Sequence, residues 1–231
     1  PGDEFGFHCW VLVGKERSNK SFFATTCPQK GGSGRFELDK FLAFVKANGD
    51  EHRTILIKGD PESSIKKFLD EVVRERGLDE KGSSKTLVEW IPAASKSGDK
   101  VTEKGFQEVV GVTRRIFMSL MEKLGVKVDA KERLVAFIPE YAAYLLTRLL
   151  VGKDGRVAYE RQKGREPIVY GVEFGVKVVY KKKMGSKMNK LGARWDYGIF
   201  IGVETMSNRF VITTPRGIKF ARSIKRLTLD K

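Results

Sequence analysis

The chain has 231 residues, of which 41% are hydrophobic and 10% aromatic, and 44 Lys+Arg against 29 Asp+Glu give a formal net charge of +15. That length holds one large domain, or a medium one followed by a small one, the apolar share suffices for a packed core, and the charge points to a polyanionic partner. Two cysteines (Cys9, Cys27) and two histidines (His8, His52), with no Cys-x-x-Cys or Cys/His cluster, argue against disulfide scaffolds, zinc ribbons and zinc deaminases. No P-loop, dinucleotide glycine motif, Ser-His-Asp or Cys-His set is found, and no apolar run approaches the about 18 residues of a membrane span. Pro1-Gly2-Asp3-Glu4 has no initiator Met and no basic leader, and reads as a cut rather than a beginning.

In chain order, His8 to Lys15 and Ser21 to Cys27 are expected as strands of a hairpin turning at Arg17-Ser18-Asn19. Phe36, Leu38, Phe41, Leu42 and Val45 recur at helical spacing up to Gly49. Thr54 to Lys58 is a short apolar strand; Asp60-Pro61-Glu62 then opens a helix with Ile65, Phe68, Leu69, Val72 and Val73 on one stripe, ending at Gly77. Thr86 to Trp90 is a strand and Pro92 to Lys100 a Ser/Lys/Gly loop. Glu103 to Leu124 is a long helix buried along Phe106, Val109, Val110, Ile116, Phe117, Leu120 and Leu124, and a further helix covers about Pro139 to Leu150. Strands interspersed with helices predict a mixed sheet covered by helices. Met118 and Met121 read as helix packing, and Tyr141 and Tyr144 as core or surface.

At Gly164-Arg165-Glu166-Pro167 the helical pattern gives way to β-type alternation, so a boundary is placed there, with domains over residues 1–165 and 166–231. Residues 166–231 hold 14 Lys+Arg against 5 Asp+Glu. Strands are expected at Glu173 to Lys181, Arg194 to Glu204, Arg209 to Thr214 and Lys219 to Ile224, making a small barrel with a tiny core.

Two carboxylates stand where separate elements can bring them together: Asp60, just past an apolar strand, and Glu103, in the first turn of the long helix. Such a pair suits hard divalent cations and phosphoryl transfer. Asp60 before Pro61 is equally read as a helix N-cap, and Glu103 as a complement to the helix dipole. Gln107 shares the face of Glu103 and reaches a substrate, while Glu108 is expected to be solvated. Lys96, Lys100 and Lys104, around the loop before that helix, are phosphate contacts or merely solvated. In the tail, Lys177, Lys181, Lys182, Lys183, Lys187, Lys190, Arg194, Arg209, Arg216, Lys219, Arg222, Lys225 and Arg226 are interleaved with Tyr180, Trp195 and Tyr197, a nucleic-acid-binding composition in which Trp195 also has a core reading.

WVLVGKERSNKSFFATTCPQKG (10–31), ILIKGDPESSIKKFLDEV (55–72), SKSGDKVTEKGFQEV (95–109), YAAYLLTRLL with GRVAYERQKGREP, and the tail's EFGVKVVYKK, RWDYGIFIGV and ITTPRGIKFARSIKR together resemble the integrase region of copia-like long-terminal-repeat retrotransposon Pol polyproteins. The resemblance implies a ribonuclease H-like α/β core followed by a small SH3-like β-barrel. It also implies an Asp-Asp-Glu triad with two Mg²⁺ or Mn²⁺ ions, and integration of element DNA into a target DNA by a multimeric, nuclear enzyme. It places Asp60 and Glu103 as catalytic metal ligands; the charge pattern offers Lys96, Lys100, Lys104, Lys181, Lys182, Lys183, Lys187, Arg194, Arg222 and Lys225, and the face shared with Glu103 offers Gln107, as the candidate nucleic-acid contacts. Asp99 after Gly98, and a wider gap from Asp60 to Glu103, depart from the family's commonest pattern. The family's first core strand and its catalytic aspartate are expected before Pro1, with Asp3 a poor substitute in a turn. The chain as given is therefore expected to show unpaired strand edges and to be inactive in strand transfer. The alternatives are a non-catalytic nucleic-acid-binding protein and a protein-interaction module.

Overall fold

The computed structural model describes residues 10–27, 34–91, 100–129, 132–183 and 193–227. Strands β1 (Trp10–Lys15) and β2 (Phe22–Cys27) form an antiparallel hairpin in register from Trp10↔Cys27 to Lys15↔Phe22. Its turn is held locally: the Glu16 carboxylate accepts the N–H groups of Ser18 and Asn19, an Asx-type substitute for backbone pairing. Helix α1 (Arg35–Ala47) follows and stops before Gly49, whose φ of +83 suits glycine. Strand β3 (Ile55–Gly59), helix α2 (Ser63–Arg76) and strand β4 (Thr86–Trp90) make a parallel β-α-β unit. Helix α3 (Lys100–Leu124), a 3₁₀ turn (Val135–Phe137), α4 (Ile138–Leu149) and α5 (Ala158–Lys163) complete the helical part, and Gly164 closes α5 in the left-handed conformation.

The tail folds into a five-stranded antiparallel sheet of β5 (Lys177–Lys181), β6 (Trp195–Val203), β7 (Phe210–Thr214), β8 (Gly217–Ala221) and β9 (Ile224–Arg226), in the order β8-β7-β6-β5-β9. The predicted strand Lys219 to Ile224 is thus two strands. The chain breaks at Arg222-Ser223 and crosses to pair with β5, Tyr180 opposite Ile224. Val178, Tyr180, Phe200, Ile212 and Ala221 are buried on the inner face, and the alternation is interrupted in β6, where the register with β7 shifts between Phe200 and Gly202 and Ile201 is buried as well.

That inner face does not enclose a tiny core of its own. Phe117 and Leu120 of α3, with Ile138, Tyr141 and Tyr144 of α4, pack with Phe174, Val178, Phe200, Phe210 and Ile212 in one hydrophobic cluster that crosses residue 165. The approach is close enough that a Cβ on Gly175 would lie 2.4 Å from Leu120 Cδ1. A second cluster sets Val109 of α3 and Ala143 and Leu146 of α4 against Phe22 and Ala24 of the hairpin. The Phe22 N–H donates to Thr147 Oγ1 at 3.0 Å and Thr26 Oγ1 to the Ala136 carbonyl at 3.1 Å. A third cluster joins Leu38 of α1 and Phe68, Leu69 and Val72 of α2 to Leu12, Ile57 and Val88. Asn48 Oδ1 accepts from Asn19, Ser21 and Gln162, tying the hairpin turn, the end of α1 and α5 together.

Instead of one mixed sheet, the first part holds two two-stranded sheets: among the described residues β1 pairs with β2 alone and β3 with β4 alone. Leu12 and Ile57 share the third cluster, whereas Leu56 and Leu87, on the other face of β3–β4, are exposed. The end residues of the α3 stripe, Phe106 and Leu124, are also exposed, as is Met118; the stripe is buried only where β1, α4 and the five-stranded sheet cover it. Helix α2 begins at Ser63, later than the Asp60-Pro61 pair, with Glu62 at its N-cap position.

Candidate functional site

Asp60 follows Gly59 at the carboxyl end of β3 and is exposed. Because the N-cap position of α2 belongs to Glu62, the capping explanation for Asp60 fails, and its carboxylate makes no hydrogen bond or ion pair among the described residues. Glu103 sits exposed in the first turn of α3, where its charge complements the helix N-terminus. Gln107 Nε2 donates to Glu103 Oε1 at 3.5 Å, as their spacing on one face predicts. Glu108 is not solvated: Lys15 Nζ donates to its Oε2 at 2.6 Å, fastening the start of α3 to the end of β1. Close contact there leaves little room at Gly105, where a Cβ would lie 3.1 Å from Lys15 Cδ.

Asp60 and Glu103 are therefore both exposed, one after β3 and one in the first turn of α3, and Glu103 is engaged only by Gln107 among the described residues. Among the described residues no group of three or more His, Cys, Asp or Glu side chains is placed to hold a metal ion. Mg²⁺ and Mn²⁺ take waters and substrate phosphates to complete six oxygens, but the implied centre is built on three carboxylates, and Asp60 and Glu103 supply two. The described donor set does not fit the two-ion centre that the resemblance implies, and no metal-dependent step is derived from it.

The basic residues gather more coherently. Cross-strand register places Lys181 opposite Trp195, Val179 opposite both Tyr197 and Lys225, and Lys177 opposite Ile199. Ile199 is followed across the sheet by Thr213 and Ile218, and Val211 by Phe220. All of these lie on the outer face, because directly paired residues project to the same side. Tyr197 is 60% exposed, and Phe220, Ile218 and Ile199 are exposed beside it. Cations sit over the rings: Lys225 Nζ lies 5.0 Å from the Trp195 ring, Lys177 Nζ 5.6 Å from Tyr197, and the Arg209 guanidinium 4.9 Å from Phe220. Lys182, whose N–H donates to the Arg194 carbonyl at 2.9 Å, Lys183 and Arg194 extend this face at one end of the β5–β6 pair.

Of the residues singled out from sequence, the structure thus brings Lys181 and Lys225 onto one aromatic face, with Lys182, Lys183 and Arg194 at its rim. Arg222 is exposed between β8 and β9, and Lys104 is exposed on α3. Lys96 and Lys187 lie outside the described residues, and Lys100 is described only as the first backbone position of α3. Trp195 belongs to the outer face rather than the core, while Tyr180 is buried on the inner one. Ile199, Ile218 and Phe220 were missed as candidates. The period-two pattern Trp195, Tyr197, Ile199 against Gly198, Phe200 carried the signal, but which parity faces the core is decided by α3 and α4.

No protein-family model matches the chain, and no curated protein matches it. Among solved structures, it is similar to a chain of the cryo-EM structure of the simian T-cell lymphotropic virus intasome in complex with PP2A regulatory subunit B56 gamma, at 11% identity and a TM-score of 0.48, covering 96% of this chain and 74% of that one. Among the described residues no helix is long and apolar enough to cross a membrane.

Proposed function

We propose that this chain is the integrase-type part of a copia-like retrotransposon polyprotein, and that it binds DNA on the outer face of the five-stranded sheet. In this reading the helical part is a ribonuclease H-like core, with β1 and β3 flanking the place of a central strand. The five strands form an SH3-like barrel, in which the last strand returns to pair with the first. The observation that carries the binding function is the lattice of Lys177, Lys181 and Lys225 with Trp195 and Tyr197 on one exposed sheet face. Rings of this kind stack on bases, while the lysines and the rim cations neutralise phosphates. Asp60 and Glu103 are the metal ligands of the ancestral polynucleotidyl transfer; self-assembly and a nuclear setting belong to the same reading.

Fluorescence anisotropy with a labelled oligonucleotide tests the binding. Affinity is expected to fall steeply between about 50 and 200 mM salt, and the Trp195→Ala, Tyr197→Ala double variant to bind about tenfold more weakly or worse, as the loss of base stacking requires. Binding that ignores both salt and these substitutions overturns the assignment and favours a protein-interaction module. The second reading is a nucleic-acid-binding protein without chemistry, which rests on the same basic and aromatic sheet face. Both readings expect no joining of a 3′-processed oligonucleotide in Mg²⁺ by this chain; metal-dependent joining that Asp60→Asn abolishes would assign it the full reaction.

A further inference from the structure

Where the helices meet the five-stranded sheet there is a cavity of about 210 Å³, with Arg148, Tyr159, Arg165, Glu166, Tyr170 and Asn208 in its walls. These residues come from α4, α5, the segment joining α5 to the sheet, and the turn between β6 and β7. Arg148 is only 3% exposed, and a guanidinium so deep ordinarily lies against a carboxylate. Here it makes no ion pair among the described residues. Its hydrogen bond runs from Nη2 to Asn208 Oδ1 at 3.2 Å. Its flat faces are covered by Tyr144, 3.9 Å from the ring centre, and Tyr159, at 4.7 Å.

Ring faces stabilise the cation but accept none of its in-plane N–H groups, and a guanidinium has five of them in a fixed fork. A second guanidinium stands at the mouth: Arg165, exposed, whose Nη2 lies 3.5 Å from the Tyr159 hydroxyl. Two forked cations, with the carboxylate of Glu166 at the exposed rim, form a site for a compact group rich in acceptor oxygens. The cavity is smaller than the about 300 Å³ at which drug-sized ligand sites begin, so it admits such a group rather than a whole large ligand.

We infer that this cavity binds a phosphate group, with Arg148 as its inner anchor and Arg165 as its outer clamp. The inference stands apart from the reading of the sheet face, and the phosphate belongs either to a nucleic acid or to a free phosphorylated small molecule.

The probe is inorganic phosphate, titrated into the full chain at constant ionic strength against sodium chloride, with melting temperature and tyrosine fluorescence as readouts. Phosphate is expected to raise the melting temperature with a saturating curve that chloride does not reproduce. Arg165→Gln, at an exposed position that leaves the fold intact, weakens phosphate about fivefold or more by removing one forked cation. Glu166→Gln tightens it about threefold by removing the opposing charge. Arg148→Lys keeps the buried charge but not the fork, and weakens phosphate while the chain stays folded. A response equal to chloride, or a phosphate curve unchanged in both Arg165→Gln and Glu166→Gln, overturns the proposal and leaves Arg148 a structural strut between α4 and the β6–β7 turn. Competition then identifies the source. Displacement of phosphate by a 5′-phosphorylated oligonucleotide and not by its dephosphorylated form points to a terminal phosphate. Displacement by both points to the backbone, and by neither to a free small molecule.

Discussion

The two halves of this molecule solve the problem of burying strands differently. Around β5–β9 every inner position meets α3 or α4 or a neighbouring strand, and Phe200, Val178 and Ile212 have no exposed surface. Around β1–β4 the strands form two separate pairs: the β1–β2 hairpin is covered by α3 and α4 through the second cluster, whereas β3–β4 is covered on one face alone and leaves Leu56 and Leu87 facing solvent. The closed half holds its exposed aromatic and basic face against a packed core, whereas the open half leaves the Asp60 and Glu103 carboxylates exposed.

If the helices and the five-stranded sheet share one core, damage on one side of residue 165 must unfold both sides. Phe200→Ala is expected to cost about 3–5 kcal/mol, the usual range for emptying a fully buried phenylalanine site. Thermal melting followed by helical circular dichroism and by the fluorescence of Trp195, in a chain with Trp10 and Trp90 replaced by Phe, should then shift together. Two separated transitions, with only the fluorescence shifted, would show the sheet to be an independent unit.

Gly175 tests the same contact from the backbone. Its φ of +81 places it in the left-handed region and a Cβ would meet Leu120, so Gly175→Ala is expected to cost about 1–2 kcal/mol from the backbone alone. Leu120→Ala in the same chain should relieve part of the clash, giving a double-mutant coupling that distant sites lack.

Much of this architecture was legible in the sequence. Thr86 to Trp90 is strand β4 as read, the stripe Phe68, Leu69, Val72 is buried, and Gly164 ends the last helix as the switch of periodicity predicts. The departures share a cause, which is that periodicity reports a face and not what covers it. Phe106 and Leu124 continue the apolar stripe of α3 past the ends of its partners, and Trp195 has the composition of a core residue on the face that no helix covers. Glu108 carried no signal for its ion pair, because Lys15 is distant in sequence. The site was legible as residue types and not as an assembly: Lys181 and Lys225 were visible, but their meeting on one face depends on β9 returning to β5, which no local pattern encodes. Nothing local in the sequence distinguishes Arg148, because its burial comes from the rings of Tyr144 and Tyr159 and from Asn208, sixty residues away.

Tyr141 joins the halves, and its expected effect is smaller. It is 5% exposed, its hydroxyl donates to the Val172 carbonyl at 2.7 Å, and burial pushes its pKa up from 10.0 to about 12. A phenol that ionises later in the folded state holds its proton more tightly there. Its contribution is full below pH 10 and is lost as the pH rises through about 12. Tyr141→Phe is expected to cost about 1 kcal/mol at neutral pH, the worth of one buried hydrogen bond, and to flatten the alkaline limb of the stability curve. An unchanged alkaline limb would move that titration to another group.

The smallest expected effect is in the open half and separates its two meanings most cleanly. If Asp60 were a cap, Asp60→Ala would cost about 1 kcal/mol. With Glu62 in the capping position and Asp60 exposed, stability should change by less than about 0.5 kcal/mol. The same indifference is expected of Glu103→Gln, apart from a small loss at the helix N-terminus. Chemical denaturation of both variants checks this, and a loss near the capping value at Asp60 would return that carboxylate to a structural role. A residue that folding does not use, standing exposed where an apolar strand ends, has its charge free for a ligand, and a near-zero stability change at Asp60 is what that freedom predicts.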